Sequence, residues 1–347
     1  MHMADALLSP AVGGGMYAAS AAAVAYSVRK IKNDELGDGK VPLMAVSGAM
    51  IFAAQMINFT IPGTGSSGHI SGGIPLAALL GPFAGLLAMS AVLVIQCLIF
   101  ADGGLLALGA NIFNIGVISC LFIYPLIARR IFSGAPTRRR IWAGSIISVI
   151  AALQLGAFAI VLHTAVSGIA MLPFSAFVLL MQPIHLAIGI VEGIVTAAIL
   201  TFVFAARPQI LESIAGNKAE AGGKPKPIKN IIIVFACIAV VAGTLLSLFA
   251  SANPDGLEWS IIGTAGAAEL ETHGRVFSAF AGIQERLALM PDYETGSIGG
   301  SGAFGSVTSG PGTSAAGFIG AALVFVLAGA AALIIRIVKK RRKNAVK

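Results

Sequence analysis

The chain has 347 residues, of which 57% are hydrophobic and only 11% are charged, with a formal net charge of +8. A soluble globular domain is about one-quarter charged and somewhat under half apolar. This composition therefore excludes an ordinary cytosolic enzyme and a disordered protein. Apolar runs of 20 residues or more predict an all-α, polytopic membrane protein.

Eight apolar runs follow one another along the chain, at 10–28, 41–61, 74–101, 105–128, 141–164, 174–205, 228–250 and 315–338. Most of the basic residues lie in four clusters that adjoin these runs. This pattern is typical of cytoplasmic loops and argues against a nucleic-acid surface. The three cysteines all lie inside apolar runs, so buried thiols are expected instead of disulfides.

The loops 29–40 and 129–140 are both basic, so both are expected in the cytoplasm, with an even number of crossings between them. Three apolar runs lie between these loops. Either one of them contains two membrane crossings, or one of them does not cross the membrane. The run 74–101 is the unusual one. A straight helix of that length would extend about 42 Å, well beyond a hydrocarbon core of about 30 Å.

The dipeptide Gly81-Pro82 interrupts this long run. Proline disfavours a helical conformation at the residue before it and removes a main-chain hydrogen bond. We therefore predict two helices, about 74–82 and 84–101, that turn at Gly81-Pro82. Each is expected to be too short to span the membrane well alone.

With this split, every basic cluster lies on the cytoplasmic side and the N-terminus lies outside. Segment 206–227 is rich in Gly, Pro and Lys and is predicted to be a cytoplasmic linker. It joins a seven-helix body, residues 1–205, to a C-terminal module, residues 228–338, with two transmembrane helices. The loop 251–314 of this module is expected to be extracytoplasmic, and the basic tail 339–347 cytoplasmic.

The chain begins Met1-His2 and has no secretory signal before residue 10, so we expect the native N-terminus to be retained. The α-amine of Met1, the deprotonated main-chain nitrogen of His2 and the His2 imidazole can bind one ion through fused chelate rings. Such in-plane nitrogen sets favour Ni(II) and Cu(II). A histidine at position 2 is usually only solvated, so the motif alone is weak.

His69 offers a fourth nitrogen. It lies in the glycine-rich segment 63–73, and irregular backbone at membrane depth is tolerated where it lines a cavity. The predicted topology puts Met1 and His69 on the same outer side. Ser67 and Ser71 flank His69 and are candidates to orient it. A loop histidine bonded only to the backbone is the alternative.

Charged residues inside membrane segments are functional candidates. His185 and Glu192 are seven residues apart on one helix face, so they could pair and fix helix packing. Asp102 and Asn111 lie near the outer ends of their helices, where they could orient a ligating histidine. Helix capping is the alternative for Asp102.

Small residues recur at four-residue spacing, at Ala18 and Ala22, Gly81 and Gly85, and Gly189 and Gly193. Internal helix packing and docking of another membrane subunit both explain such spacing. The stretch 18–25 is the preferred candidate for a docking face. The extracytoplasmic loop of the C-terminal module is acidic, which is the sequence support for its attracting cations or contacting the capture site.

Four segments in order resemble the CbiM/NikM family, the substrate-capture membrane components of energy-coupling factor transporters for cobalt and nickel. They are MHMADALLSP at the N-terminus, GSSGHISGGIPLAALLGPFAG at 65–85, ADGGLLALGANIFNIGV at 101–117 and PIHLAIGIVEGIVTA at 183–197. Residues 228–338 resemble the small companion component of these transporters, with its signature at 254–258. The two components are fused here.

This resemblance implies that the N-terminus tucks into the seven-helix body. It implies a metal held by the Met1 amine, the His2 main-chain nitrogen, the His2 imidazole and the His69 imidazole. It also implies a transmembrane coupling subunit and ATP-binding cassette ATPase subunits as partners, which agrees with the lack of an ATP-binding motif in the sequence. Many family members carry Ile where Met3 stands, which leaves nickel and cobalt both open.

The expected function is therefore capture of Ni²⁺ or Co²⁺ for an ATP-driven importer of the bacterial cell membrane, with no resident cofactor and no enzymatic activity. Two other classes stay open. A self-sufficient secondary transporter or channel could use Asp102, His185 and Glu192 as a proton or ion path. A structural membrane scaffold would leave the histidines incidental.

Overall fold

The structure, a computed structural model, describes residues 1–31, 40–133, 137–215, 228–267, 270, 272–293 and 311–345. The predicted linker is described only as far as residue 215. Residues 294–310 of the predicted extracytoplasmic loop lie outside the described part of the chain.

Seven helices form the described part of the body, as predicted. They are α1 (Pro10–Lys30), α2 (Lys40–Gln55), α3 (Gly73–Leu80), α4 (Pro82–Phe100), α5 (Leu108–Phe132), α6 (Arg138–Ser167) and α7 (Phe174–Ala206). The side chains of Ser9 and Thr137 accept main-chain hydrogen bonds in the first turns of α1 and α6, so both helices begin at a capping residue.

Beyond the body, the part of the chain that the structure describes forms five further α-helices. They are α8 (Pro208–Ala215), α9 (Lys229–Thr244), α10 (Gly256–Ala265), α11 (Arg275–Leu287) and α12 (Pro311–Ala345). A short 3₁₀ helix, Leu246–Phe249, follows α9. The helices α10 and α11 lie in the predicted extracytoplasmic loop, which is therefore partly folded and not merely a connection.

Within the described residues, seven helices are long and apolar enough to cross a membrane: α1, α4, α5, α6, α7, the segment Lys229–Phe249 that contains α9, and α12. The remaining body helices are shorter, with 16 residues in α2 and 8 in α3. The expectation that both halves of the run 74–101 are too short was wrong for the second half. Helix α4 begins at Pro82, and its 19 residues extend about 28 Å.

The break in this run lies at the predicted dipeptide. Gly81 has φ 87°, in the left-handed region that favours glycine, and Pro82 begins α4. The two helices fold back on each other closely, since a Cβ on Gly85 would lie 2.9 Å from the Ala77 Cα. The break therefore produces a compact helical hairpin inside the body.

The apolar run 41–61, expected to be helical throughout, ends as a helix at Gln55. Two short antiparallel strands follow, β1 (Phe59–Ile61) and β2 (Ser66–Gly68), which pair Phe59 with Gly68 and Ile61 with Ser66. β-Branched residues and the Pro-Gly sequence after β1 favour a strand and a turn over another helical turn. This β-hairpin leads directly into His69.

The C-terminal module packs along the body. Helices α9 and α12 both lie against α2, and α12 also contacts α4. The close approach of α9 and α12 requires glycine at Gly243 and Gly317, since a Cβ on Gly317 would overlap the main chain of Gly243. As a result, residues 43–55 of α2 are all buried.

The end of α1 and the last part of α12 meet at one end of the molecule. The Lys339 side chain donates to the main-chain oxygens of Arg29, at 3.2 Å, and Ile31. Parts of two basic clusters therefore lie together at this end. Of the small-residue pairs, Gly189 and Gly193 pack against the main chain of α6, whereas Ala18 and Ala22 are exposed on α1.

Candidate metal site

The first residues of the chain run into the body. Met1 and Met3 are buried, as are Leu7 and Leu8. Asn111 in α5 holds the main chain of Met3 on both sides, accepting from its nitrogen at 2.7 Å and donating to its oxygen at 3.2 Å. Asn111 thus fixes the segment that carries the two N-terminal residues, whereas its predicted role is to orient a ligating histidine.

Met1, His2 and His69 come together. The Met1 α-nitrogen lies 3.4 Å from His69 Nε2, and the rings of His2 and His69 are stacked, with centroids 5.4 Å apart and planes within 4°. The cavity at this point measures about 10 Å³, room for about one water-sized occupant. It is lined by Met1, Gly68, His69, Ser71, Ile188, Asp255 and Gly256.

His69 presents an unprotonated nitrogen to this cavity. Its Nδ1 lies 3.2 Å from the main-chain oxygen of Ile70, and because a carbonyl only accepts, Nδ1 carries the proton. Burial, and secondly the positive α-amine of Met1, lower the pKa of His69 to about 3. The neutral imidazole is the form that binds metal ions.

His2 is held from one side by Asp102, whose Oδ1 lies 3.1 Å from His2 Nδ1. Burial by itself raises the pKa of Asp102, but the neighbouring His2 outweighs it and keeps this pKa below its usual range. The Tyr293 hydroxyl of the C-terminal module donates to the other oxygen of Asp102. Asp102 is therefore paired with His2, as one of its two predicted roles requires, and is itself held by the module.

Asp255 also enters the site from the C-terminal module. The Met1 α-amine donates to its Oδ2 at 2.7 Å, and the same oxygen is 3.9 Å from His69 Nε2. Burial alone raises the pKa of Asp255, but the positive α-amine of Met1 and its hydrogen bond outweigh it and hold this pKa below its usual range. The α-amine is thus paired with a carboxylate.

The β-hairpin before His69 is the surface that receives the module. Ser67 donates from its nitrogen to the Pro254 oxygen and from its hydroxyl to the Asn253 oxygen, both at 2.8 Å. Trp259 donates from its ring nitrogen to the Thr64 oxygen at 2.9 Å. Ser67 therefore docks the module, whereas its predicted role is to orient His69.

The loop after His69 is anchored by Glu192. Its carboxylate accepts from the Ser71 nitrogen and hydroxyl, both at 2.8 Å, and from the Gly72 nitrogen at 2.9 Å. The predicted pairing with His185 was wrong, because the partners of Glu192 are these three donors. His185 instead uses Nδ1 on the Met181 oxygen at 2.8 Å. Ser71 therefore steadies the loop that follows His69.

Within the described ranges, no three His, Cys, Asp or Glu side chains are grouped so as to hold a metal ion. A metal ligand set at this cavity has to include main-chain nitrogen, as the N-terminal chelate does. Asp255, Tyr293 and the partners of Glu192 were missed by sequence reasoning. For Asp255 a signal exists, because an acidic residue followed three positions later by Glu258 marks a capped helix in the acidic loop.

Comparison with known proteins divides the chain into two parts. Residues 2–210 match the family model described as the cobalt uptake substrate-specific transmembrane region, CbiM. Residues 229–337 match the PDGLE domain. Apart from Met1, every residue that lines the cavity lies in one of these two regions.

Two curated relatives illustrate the likeness. A protein of Haloquadratum walsbyi, whose name marks it as a candidate metal transport protein, is 40% identical over 213 residues, which cover 61% of this chain and 93% of the relative. The fused nickel transport protein NikMN of Rhodobacter capsulatus is 33% identical over 228 residues, covering 61% of this chain and 64% of the relative.

A solved structure has a similar fold. The crystal structure of a truncated transition metal transporter matches with a TM-score of 0.52 and 28% sequence identity. The match covers 59% of this chain and 99% of that structure.

Proposed function

The chain belongs to the CbiM family of cobalt uptake substrate-specific transmembrane regions, and from this membership we propose that it captures Ni²⁺ or Co²⁺ through an N-terminal chelate. It is a multi-pass membrane protein and a cobalt or nickel transport component, not an enzyme. We also propose the ligands of the ion, the partner subunits that drive its import and the orientation of the chain in the membrane.

The proposed ligands are the Met1 α-nitrogen, the His2 main-chain nitrogen, the His2 imidazole and His69 Nε2. The observation that carries this proposal is the 3.4 Å separation of the Met1 nitrogen and His69 Nε2, with the His2 ring stacked beside them. These nitrogens are 68 residues apart in sequence, and the sequestered N-terminus and the β-hairpin bring them to one cavity.

Closing the chelate changes two contacts. The ring nitrogen of His2 that can share a six-membered ring with its own main-chain nitrogen and the ion is Nδ1, which faces Asp102 at 3.1 Å. The His2 ring must therefore leave Asp102 before Nδ1 binds. The Met1 α-ammonium must lose its proton and its bond to Asp255, and the His2 amide must lose its proton as well.

We propose that a transmembrane coupling subunit and ATP-binding subunits drive release of the ion to the cytoplasm. The exposed face of α1 that contains Ala18 and Ala22 is the proposed docking surface, since small residues allow close helix approach. The N-terminus is proposed to face outward and the end of α12 inward. Metal uptake should then need the ATPase, whereas gradient-driven uptake in cells that lack it would favour a secondary transporter.

Titration of the purified full chain with Ni²⁺ and Co²⁺ tests the chelate. Three variants are needed: His2→Ala, His69→Ala, and a form with one residue added before Met1, which keeps both imidazoles but moves the α-amine. We expect all three to lose binding. Undiminished binding by the extended form would contradict the chelate, whatever the histidine variants do.

A further inference from the structure

We propose that Asp255 of the C-terminal module is a further ligand of the captured ion, so that the module completes the metal site of the body. This inference rests on the proposed function, because it adds an oxygen to the nitrogen chelate. The observation behind this inference is that Asp255 lies close to two of the proposed nitrogen ligands.

The three donor atoms have the spacing of ligands around a single ion. Asp255 Oδ2 is 2.7 Å from the Met1 nitrogen and 3.9 Å from His69 Nε2, and the two nitrogens are 3.4 Å apart. A circle through these three atoms has a radius of about 2.0 Å, which is the usual length of a bond from zinc to nitrogen or oxygen. One ion could therefore contact all three donors with little movement of the main chain.

Charge balance supports an anionic ligand here. The site is buried, and a divalent ion with only neutral ligands would keep its full charge in a medium of low dielectric constant. The deprotonated His2 amide supplies one negative charge and the Asp255 carboxylate a second, so that the ion together with its direct ligands carries no net charge. When the Met1 amine loses its proton, Asp255 loses its present cationic partner and is left facing the ion.

The two oxygens of Asp255 have separate partners. Oδ1 accepts from the nitrogens of Leu257 and Glu258, at 2.8 and 2.9 Å, as the cap of α10. Oδ2 is thereby directed at the Met1 nitrogen. Hydrogen bonds of this kind orient ligating carboxylates in known metal sites.

The backbone around Asp255 is held as firmly as its side chain. Asp255 pairs with Ser67 in a parallel bridge. A Cβ on the next residue, Gly256, would lie 2.9 Å from the Ile188 side chain, so the module is seated directly on α7. The carboxylate is therefore delivered to the cavity by rigid neighbours on both sides.

An oxygen ligand should change the relative affinities of the site for Co²⁺ and Ni²⁺. A planar set of four nitrogens suits Ni²⁺, whereas Co²⁺ accepts additional ligands and gains more from a fifth donor. Asp255 should therefore raise the affinity for Co²⁺ more than that for Ni²⁺. A residue that only held the module in place would affect both ions alike.

The test compares Asp255→Asn with the wild type and with Glu285→Gln, in the full chain with its native N-terminus. Asparagine keeps a capping oxygen for α10, so the fold is preserved. Glu285 is exposed on α11, so its variant removes one negative charge from the same module without touching the cavity. Affinities for Co²⁺ and Ni²⁺ and the visible spectrum of bound Co²⁺ are measured.

We expect Asp255→Asn to weaken Co²⁺ binding about tenfold or more, to weaken Ni²⁺ binding less, and to change the Co²⁺ spectrum. Glu285→Gln should behave like the wild type. Equal or tighter Co²⁺ binding by Asp255→Asn would overturn the inference, because the carboxylate would then only compete with the ion for the α-amine. Equal losses for both ions with an unchanged spectrum would overturn it too. Failure of the wild type to bind either ion would instead refute the proposed function.

Discussion

The carboxylate of Glu192, in the middle of the membrane helix α7, accepts a hydrogen bond from the main-chain nitrogen of Ser71 at 2.8 Å. Together with its bonds to the Ser71 hydroxyl and the Gly72 nitrogen, this contact fixes the loop that carries His69. The carboxylate is completely buried, and its hydrogen bonds replace the water it would otherwise need. An intramembrane acid thus serves here as an anchor for a loop.

Glu192→Gln should therefore lower metal affinity by about tenfold, although residue 192 touches none of the proposed ligands. The glutamine amide has only one oxygen, so its NH₂ group would face at least one of the donors of Ser71 and Gly72 that now bond to the carboxylate. The loop that carries His69 would then shift. Metal titration of the purified variant measures the effect. Thr196→Val is the matched control, since Thr196 is buried one turn further along α7 with an unpartnered hydroxyl. A loss of the same size in Thr196→Val would contradict the anchoring role.

Asn111→Ala should also weaken metal binding by about tenfold, because it removes both hydrogen bonds to the main chain of Met3. The freed N-terminus would then spend less time with its α-amine beside His69. Titration with Ni²⁺ again provides the measurement. Asn114→Ala is a useful comparison, since the Asn114 amide donates to the Met3 sulfur, at 3.5 Å, and not to the main chain of Met3. Equal effects of the two variants would argue against a specific role for Asn111.

Metal affinity should fall as the pH is lowered below neutral, because the Met1 α-amine and the His2 amide must release protons to bind. His69 should not contribute to this dependence. Burial and the α-amine lower its pKa to about 3, so above about pH 4 it is already neutral. Metal titrations at several pH values measure the first effect. For the second, NMR titration of the metal-free protein should show that the His69 ring stays neutral above about pH 4. Protonation of this ring near neutral pH, with its signals identified by their absence in His69→Ala, would contradict the assignment.

Gly256→Val should displace the C-terminal module from α7, because the added side chain would overlap the side chains of Ile188 and His185. We expect faster proteolysis in the loop 251–293 and weaker Co²⁺ binding, although residue 256 supplies no ligand. Gly282→Ala on α11 is the control, because a Cβ there meets no neighbouring atom. Unchanged proteolysis in Gly256→Val would show that the module does not depend on this close approach.

The sequence predicts the helices well because hydropathy follows the membrane environment, and the helical break was correctly located because Gly81-Pro82 acts through local backbone geometry. Hydropathy did not predict the end of α2, since a β-hairpin and a helix can be equally apolar. The gathering of Met1, His2 and His69 was anticipated from their metal-binding chemistry. The contacts of Asp255 could not be, because they arise only when the module docks.

The pairing of His185 with Glu192 failed for a related reason. A spacing of seven residues shows that two side chains share a helix face, but not which groups of other segments lie opposite that face. In this protein the groups opposite Glu192 are main-chain N–H donors of an irregular loop. Such donors are present at every position of a sequence and leave no signature in it.

The enclosure of α2 by α9 and α12 affects how the protein fits its bilayer. With 16 residues, α2 extends about 24 Å and falls short of a hydrocarbon core of about 30 Å. A lipid-facing helix of this length would have to thin the bilayer locally, at a cost that grows with each ångström of mismatch. Because α9 and α12 separate α2 from the lipid, that cost is avoided. A body expressed without its C-terminal module should therefore be stabilised by lipids with shorter acyl chains.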